Sequence, residues 1–146
     1  DALPILPSST LTLFDQFTED LGKKVHNLST DSLAVALTNT APNASTGAAL
    51  ADITEISYTN CSSRAITTTS YEHTSGDNPL VIADLTLTAS GGNVGPFRYV
   101  VLYNDTSTSD KLIGWLDYNS SLTLADGESL VLDFSAVNGI LQVNKT

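Results

Sequence analysis

The chain has 146 residues, enough for one domain with a sizeable core, and 41% of them are hydrophobic, which excludes a disordered polymer. Sixteen acidic against six basic residues leave a net charge of −10; a polyanion repels such a chain, so nucleic acid is not expected as a partner, and no apolar run approaches the roughly 20 residues that cross a bilayer. A single cysteine, Cys61, excludes an intrachain disulfide, and one cysteine with two histidines argues against a structural zinc site.

The first nine residues, DALPILPSS, set Leu3, Ile5 and Leu6 around Pro4 and Pro7. Proline bars a helix interior and favours an extended arm. The segment also lacks the basic start of a signal peptide. Leu3, Pro4, Ile5, Leu6 and Pro7 are the candidate partner-binding residues. An apolar arm with no local partner either packs back on its own domain or docks on a neighbour, and the sequence leaves both open.

A helix is expected next. Ser9 or Thr10 can cap it, and Leu13, Phe14, Phe17, Leu21 and Val25 recur at spacings of three and four, forming one apolar stripe. Asp15, Glu19 and Asp20 face elsewhere, and Gly22 followed by two lysines suits a helix end. From residue 32 the period falls to two. SLAVALTN (32–39) reads as a strand, and residues 40–56 as mostly loop with a short helical turn near 48–53. Residues 54–59 pair weakly. RAITTTSYEH (64–73) and LVIADLTLTA (80–89) each read as one strand, separated by the turn SGDNP. After the break SGGNVGP, residues 97–103 and 111–118 form a hairpin with the exposed loop NDTSTSD. Asp126-Gly127 is the strongest hairpin dipeptide, between Leu124 and the alternating Leu130, Leu132 and Phe134. A short final strand, ILQV, follows Gly139.

Strands at spacings near ten residues, with turn chemistry between them, indicate an all-β chain. The expected architecture is an antiparallel β-sandwich, jelly-roll or Ig-like, with one N-terminal helix and an extended N-terminal arm. Residues 1–9 form the arm, and residues 10–146 a single sandwich domain with its leading helix.

Little in the sequence carries chemistry. His26 and His73 lie at polar ends of predicted elements and read as surface residues, and Cys61 has no base beside it. Glu19 and Asp20 read as a hydrated helix surface. The oxygen-rich stretches at 75–78 and 104–110 lack the spacing of a calcium loop, and Asx and Ser/Thr turns account for them. Asn27, Asn43, Asn60, Asn104, Asn119 and Asn144 each open an Asn-x-Ser/Thr triplet. Ser and Thr are abundant enough to generate such triplets by composition, and secreted sandwiches usually carry disulfides. The glycines of 90–97 lie between strands, whereas a phosphate loop opens a helix. Trp115 reads as core or a packed sheet face. The expectation is a non-enzyme with no cofactor and no metal.

Several stretches carry a resemblance: TDSLAVALTNTAPN, LADITEI, TASGG, FRYVVLYNDT, LIGWLDY, LADGESLVLDF and GILQV, in that order. Over residues 11–143 the chain resembles small virion structural proteins of tailed bacteriophages, most specifically at 98–106 and 112–118. The resemblance implies a capsid cement or decoration protein on the outer surface of the head. Its implied partners are the major capsid protein, whose adjacent subunits it would hold together, and itself as a homo-oligomer, trimer before dimer. No nucleic acid and no membrane are expected. The arm and the helix that follows lie outside the firmest match and are where variable attachment is expected. The alternative is a head-fibre or tail-associated module that recognises host surface glycans through exposed aromatics such as Tyr103, Trp115 or Tyr118. An enzyme would need converging polar groups with shifted pKa values, and the sequence supports that least.

Overall fold

Alternation and turn chemistry cut the chain into short strands. The computed structural model, which describes residues 2–3 (backbone), 10–134 and 138–145, arranges them in three sheets. In chain order the strands are β1 (Ala2–Leu3), β2 (Thr12–Leu13), β3 (Leu33–Thr38), β4 (Ala65–Ile66), β5 (Thr68–Tyr71), β6 (Pro79–Ile82), β7 (Leu85–Thr88), β8 (Val94–Asn104), β9 (Lys111–Leu124), β10 (Ser129–Leu132) and β11 (Leu141–Gln142). Helix α1 (Asp15–Gly22) lies between β2 and β3, and a 3-10 turn occupies Leu50–Asp52. The largest sheet has the order β2-β9-β8-β3-β4, and the smaller ones β1-β10-β7 and β11-β6-β5. Pairing is antiparallel except between β1 and β10. The fold is therefore mostly β, built from antiparallel sheets with one helix.

The long hairpin β8–β9 is the spine. Val35, Leu37, Val100, Leu102 and Leu116 turn one face of the large sheet into a core shared with Leu80 and Ile82 of β6, Leu87 of β7, and Leu130 and Leu132 of β10. Both smaller sheets thus pack on that face. The other face carries Ala34, Ala36, Val101, Tyr103 and Leu112, against Phe14, Leu50, Ile53 and Trp115. Here the loop predicted for 40–56 lies over the sheet. Leu112 N–H donates to Ala48 O (3.0 Å), Leu50 N–H to Asp110 O (2.9 Å), and Asp15 N–H to Ala44 O (3.0 Å). This explains why all of β3 is buried. Its sequence alternates large with small residues, not apolar with polar, because both faces are covered and the alanines leave room for the overlying loop.

Four expectations are corrected. First, the helix starts at Asp15, not near residue 10, and Phe14 sits at its N-cap with extended backbone and no side-chain cap. Thr12–Leu13 instead pairs with Trp115 and Gly114 at the edge of β9, and Phe14 N–H donates to Ile113 O (3.1 Å). Edge pairing uses the backbone groups that an earlier helical turn would need. Leu13 is consequently exposed, and Asp20, expected on the wet face, is only 5% exposed.

Second, residues 64–73 and 80–89 each split into two strands that serve different sheets. The breaks meet, with Ala83 N–H donating to Thr67 O (2.9 Å), so the chain changes sheet at one place on both passes. Third, Asp126-Gly127 makes a tight turn, with Gly127 at φ 87° and Glu128 N–H on Ala125 O (2.9 Å), but its flanking strands do not pair with each other. The turn docks instead on residues 89–91: Gly127 N–H donates to Ala89 O (2.8 Å), and Gly91 N–H to Asp126 Oδ1 (2.8 Å). It is a corner between sheets. A two-residue hairpin turn with both φ positive is found instead at Ser75-Gly76, joining β5 to β6. Fourth, the loop 104–110 is not wholly exposed, because Asn104 is fully buried.

Candidate functional site

Of the arm, the described residues are Ala2 and Leu3, by their backbone. The backbone of Ala2 and Leu3 lies beside β10, in register with Ser129 and Leu130. Of the two possibilities for the arm, those two residues take the first and pair with their own domain. Pro4, Ile5, Leu6 and Pro7 lie outside the described residues. Beyond them, Thr12–Leu13 holds the edge of the large sheet.

The most distinctive polar chemistry is internal. His26, expected at the surface, is 5% exposed, while His73 is exposed as expected. The helix ends at Gly22, Lys24 adopts φ 65°, and Val25 N–H returns to Asp20 O (2.9 Å). That reversal turns His26 inward against Phe17, with ring centroids 5.2 Å apart. Its Nδ1 lies 3.0 Å from Asn104 Nδ2, and the same amide nitrogen donates to Asp31 Oδ2 at 2.6 Å. Asn104 Oδ1 accepts from Thr106 N–H (3.0 Å) and Ser107 N–H (3.2 Å), which fixes the orientation of the amide. Asp31 Oδ2 also accepts from Asn27 N–H (2.8 Å). Two buried atoms of this group, His26 Nε2 and Asp20 Oδ2, have no hydrogen-bond partner among the described residues. Burial pushes the His26 imidazole below its ordinary pKa and Lys111 adds to this, while Asp20 and Asp31 pull the other way. A groove of about 290 Å³ runs alongside, lined by residues that include Leu21, Lys24, His26, Asp31 and Tyr71.

This arrangement ties the segment after α1 to the β8–β9 loop. Because the amide occupies Nδ1, that nitrogen is not free to take a proton from a substrate. Two hydroxyls of the loop are likewise committed to backbone. Ser107 Oγ donates to Asn104 O (2.8 Å) and accepts from Lys111 N–H (2.8 Å), and Thr106 Oγ1 accepts from Ser32 N–H (2.8 Å). Among the described residues no three His, Cys, Asp or Glu side chains are grouped to hold a metal ion.

A second polar group closes the sheet beyond β4. Arg64 Nη1 donates to Val35 O (2.7 Å), and its guanidinium lies 3.6 Å from the centre of the Tyr58 ring. Tyr58 Oη donates to Glu55 (2.7 Å) and accepts from Leu37 N–H (2.9 Å). Burial, and then the bond to Glu55, raise the phenol far above its ordinary pKa. Side chains here replace a neighbouring strand and blunt a sheet edge. Cys61 is half-buried and its thiol is pushed up by burial, away from nucleophilic use. Of the three aromatics that a glycan reader would display, Tyr103 is buried, Trp115 packs 4.8 Å from Phe14, and Tyr118 is half-buried against the main core. Of the six triplets, Asn104 is closed to glycan by burial.

The residues missed in the sequence are His26, Asp20, Asp31 and Asn104. Two of them carried a signal. Asp20 lies three residues after Phe17, on the apolar stripe. Asn104 continues the inward alternation of Val100 and Leu102. Nothing local marks His26 or Asp31, which are brought in by a chain reversal.

No protein-family model, no curated protein and no solved structure matches the chain.

Proposed function

We propose that the protein is a tailed-phage capsid cement or decoration protein. It binds the outer surface of the head as a homo-oligomer, trimer before dimer, and stabilises contacts between major capsid subunits. One observation carries the reading. The two stretches most like those virion proteins, 98–106 and 112–118, are neighbours in a single ladder, with Val100 opposite Leu116, Val101 opposite Trp115 and Leu102 opposite Gly114. The stretches on which the reading rests therefore form one contiguous piece of the fold.

Other features support it. Two small sheets on one face of a larger one suit an antiparallel sandwich of jelly-roll or Ig-like type. The charge of −10 suits a position outside the shell, away from packaged DNA. The short parallel β1 suits an arm that exchanges its sheet edge for a neighbour's, since strand addition keeps the number of backbone bonds. Leu3, Pro4, Ile5, Leu6 and Pro7 are then the gripping residues, each buried apolar side chain contributing about 1.5–3 kcal/mol before the cost of ordering the arm. Repetition over a symmetric shell turns modest contacts into avidity. The glycan-reading alternative loses support from the burial of Tyr103 and the packing of Trp115. Removing residues 1–7 tests the attachment. The truncated domain is expected to fold and to fail to decorate heads, and full occupancy by the truncated protein would refute the role of the arm.

A further inference from the structure

We propose that His26 is a proton-operated latch: neutral, it locks the segment 26–31 to the β8–β9 loop through Asn104, and protonated, it releases both. The argument rests on counting donors. The Asn104 amide has four hydrogen-bonding positions, and all four are committed. Its oxygen accepts from Thr106 and Ser107 N–H, and its two N–H groups point at His26 Nδ1 (3.0 Å) and Asp31 Oδ2 (2.6 Å). Flipping the amide would face its oxygen to the Asp31 carboxylate and its NH₂ to two backbone N–H groups, so the orientation is not reversible. His26 Nδ1 must therefore accept, and the neutral ring carries its proton on Nε2. Nε2 is buried and has no partner among the described residues.

The only nitrogen that acid can protonate is thus the one Asn104 occupies. An imidazolium would set N–H against N–H, and the contact must break. The charges around the ring give the broken state somewhere to go. Asp20 reaches it from α1, with one oxygen buried and unpartnered, and Asp31 from the segment before β3; Lys111 opposes from β9. Lys24 and Tyr71, of β5, line the same groove. An imidazolium can pair with either carboxylate once Asn104 has moved. That movement undoes the turn at 104–107, because the Asn104 oxygen organises it. The ring is held neutral by burial, so the release falls below the ordinary histidine range near pH 6.5. The sign follows: with the folded pKa lowered, the contribution is whole above the unfolded value and is lost as pH falls toward the folded one.

The test uses the full chain, labelled with ¹⁵N. At about pH 7.5 the His26 ring is expected as the Nε2–H tautomer. On acidification through and below the ordinary histidine range, the amides of residues 27–31 and 104–107 should shift together with the His26 ring. Hydrogen exchange of the Thr106 and Ser107 amides, corrected for intrinsic pH dependence, should rise by about tenfold or more. The His73→Gln variant, at an exposed position, should keep the coupled step unchanged. The His26→Gln variant should lose the coupled step, and the wild-type readouts stand without it if it fails to fold. An Nδ1–H tautomer at neutral pH, or an imidazolium that forms while the loop amides stay protected, would overturn the latch.

Discussion

Gly114→Ala tests how the N-terminal segment is seated on the sheet. A Cβ at this position would lie 2.7 Å from the Thr12 carbonyl oxygen, and 2.9 and 3.1 Å from Leu11 Cγ and Cδ1. The oxygen is backbone and cannot retreat without loosening the pairs Thr12–Trp115 and Leu13–Gly114. Forcing one methyl into a packed site costs about 1–3 kcal/mol, and each backbone hydrogen bond lost adds about 0.5–1.5 kcal/mol. The bond from Phe14 N–H to Ile113 O is the first at risk, and with it the seat of Phe14, which is 1% exposed. The expected loss is about 1.5–4.5 kcal/mol, which for a domain of this size lowers Tm by roughly 3–18 °C. Thermal unfolding measures the total, and hydrogen exchange at the Phe14 amide locates it. Adding Leu11→Ala should restore only part of the stability, because the clash with the Thr12 oxygen remains. An unchanged Tm with full protection at Phe14, or complete rescue by Leu11→Ala, would refute the reasoning.

Other perturbations follow from the same contacts. Leu37→Ala, at a side chain with 0% exposure, should cost about 2–5 kcal/mol in urea unfolding with an unchanged m-value. Arg64→Lys should cost about 1–2 kcal/mol in the same assay, since an ammonium cannot both reach Val35 O and stack on Tyr58. Asp117→Asn breaks a bidentate pair with Arg98 (2.8 and 3.0 Å) that is partly exposed, so only a small loss of stability is expected in urea unfolding, shrinking further in salt. The bond from Arg98 holds the Asp117 carboxyl below its ordinary pKa. Its contribution is therefore present above the usual carboxylate value and lost as pH falls through the lowered one, so wild type and variant should converge in acid.

Local pattern was enough to read the strands and most turns, because period and turn residues act over a few positions. Residues 32–39, the β8–β9 hairpin and the Ser75–Gly76 turn all reflect this. Changes of sheet were not legible. The splits at Thr67 and Ala83 are set by contact between two distant passes of the chain, and Asp84, of a type depleted in strands, is the one local hint of a break. The same limit misplaced Asp126-Gly127, whose turn chemistry is local but whose docking on Ala89 and Gly91 is not. His26 followed this rule too. Its burial depends on Asn104, 78 positions away. By contrast, Asp20 and Asn104 sat in phase with apolar neighbours, and their polar character hid the signal.

Incubating the purified protein with undecorated phage heads bears most directly on the cement proposal. Saturable binding at symmetry-related positions outside the shell, with a higher temperature of head rupture, is the predicted result. Heads that stay bare, or that are decorated yet rupture at the original temperature, would contradict it.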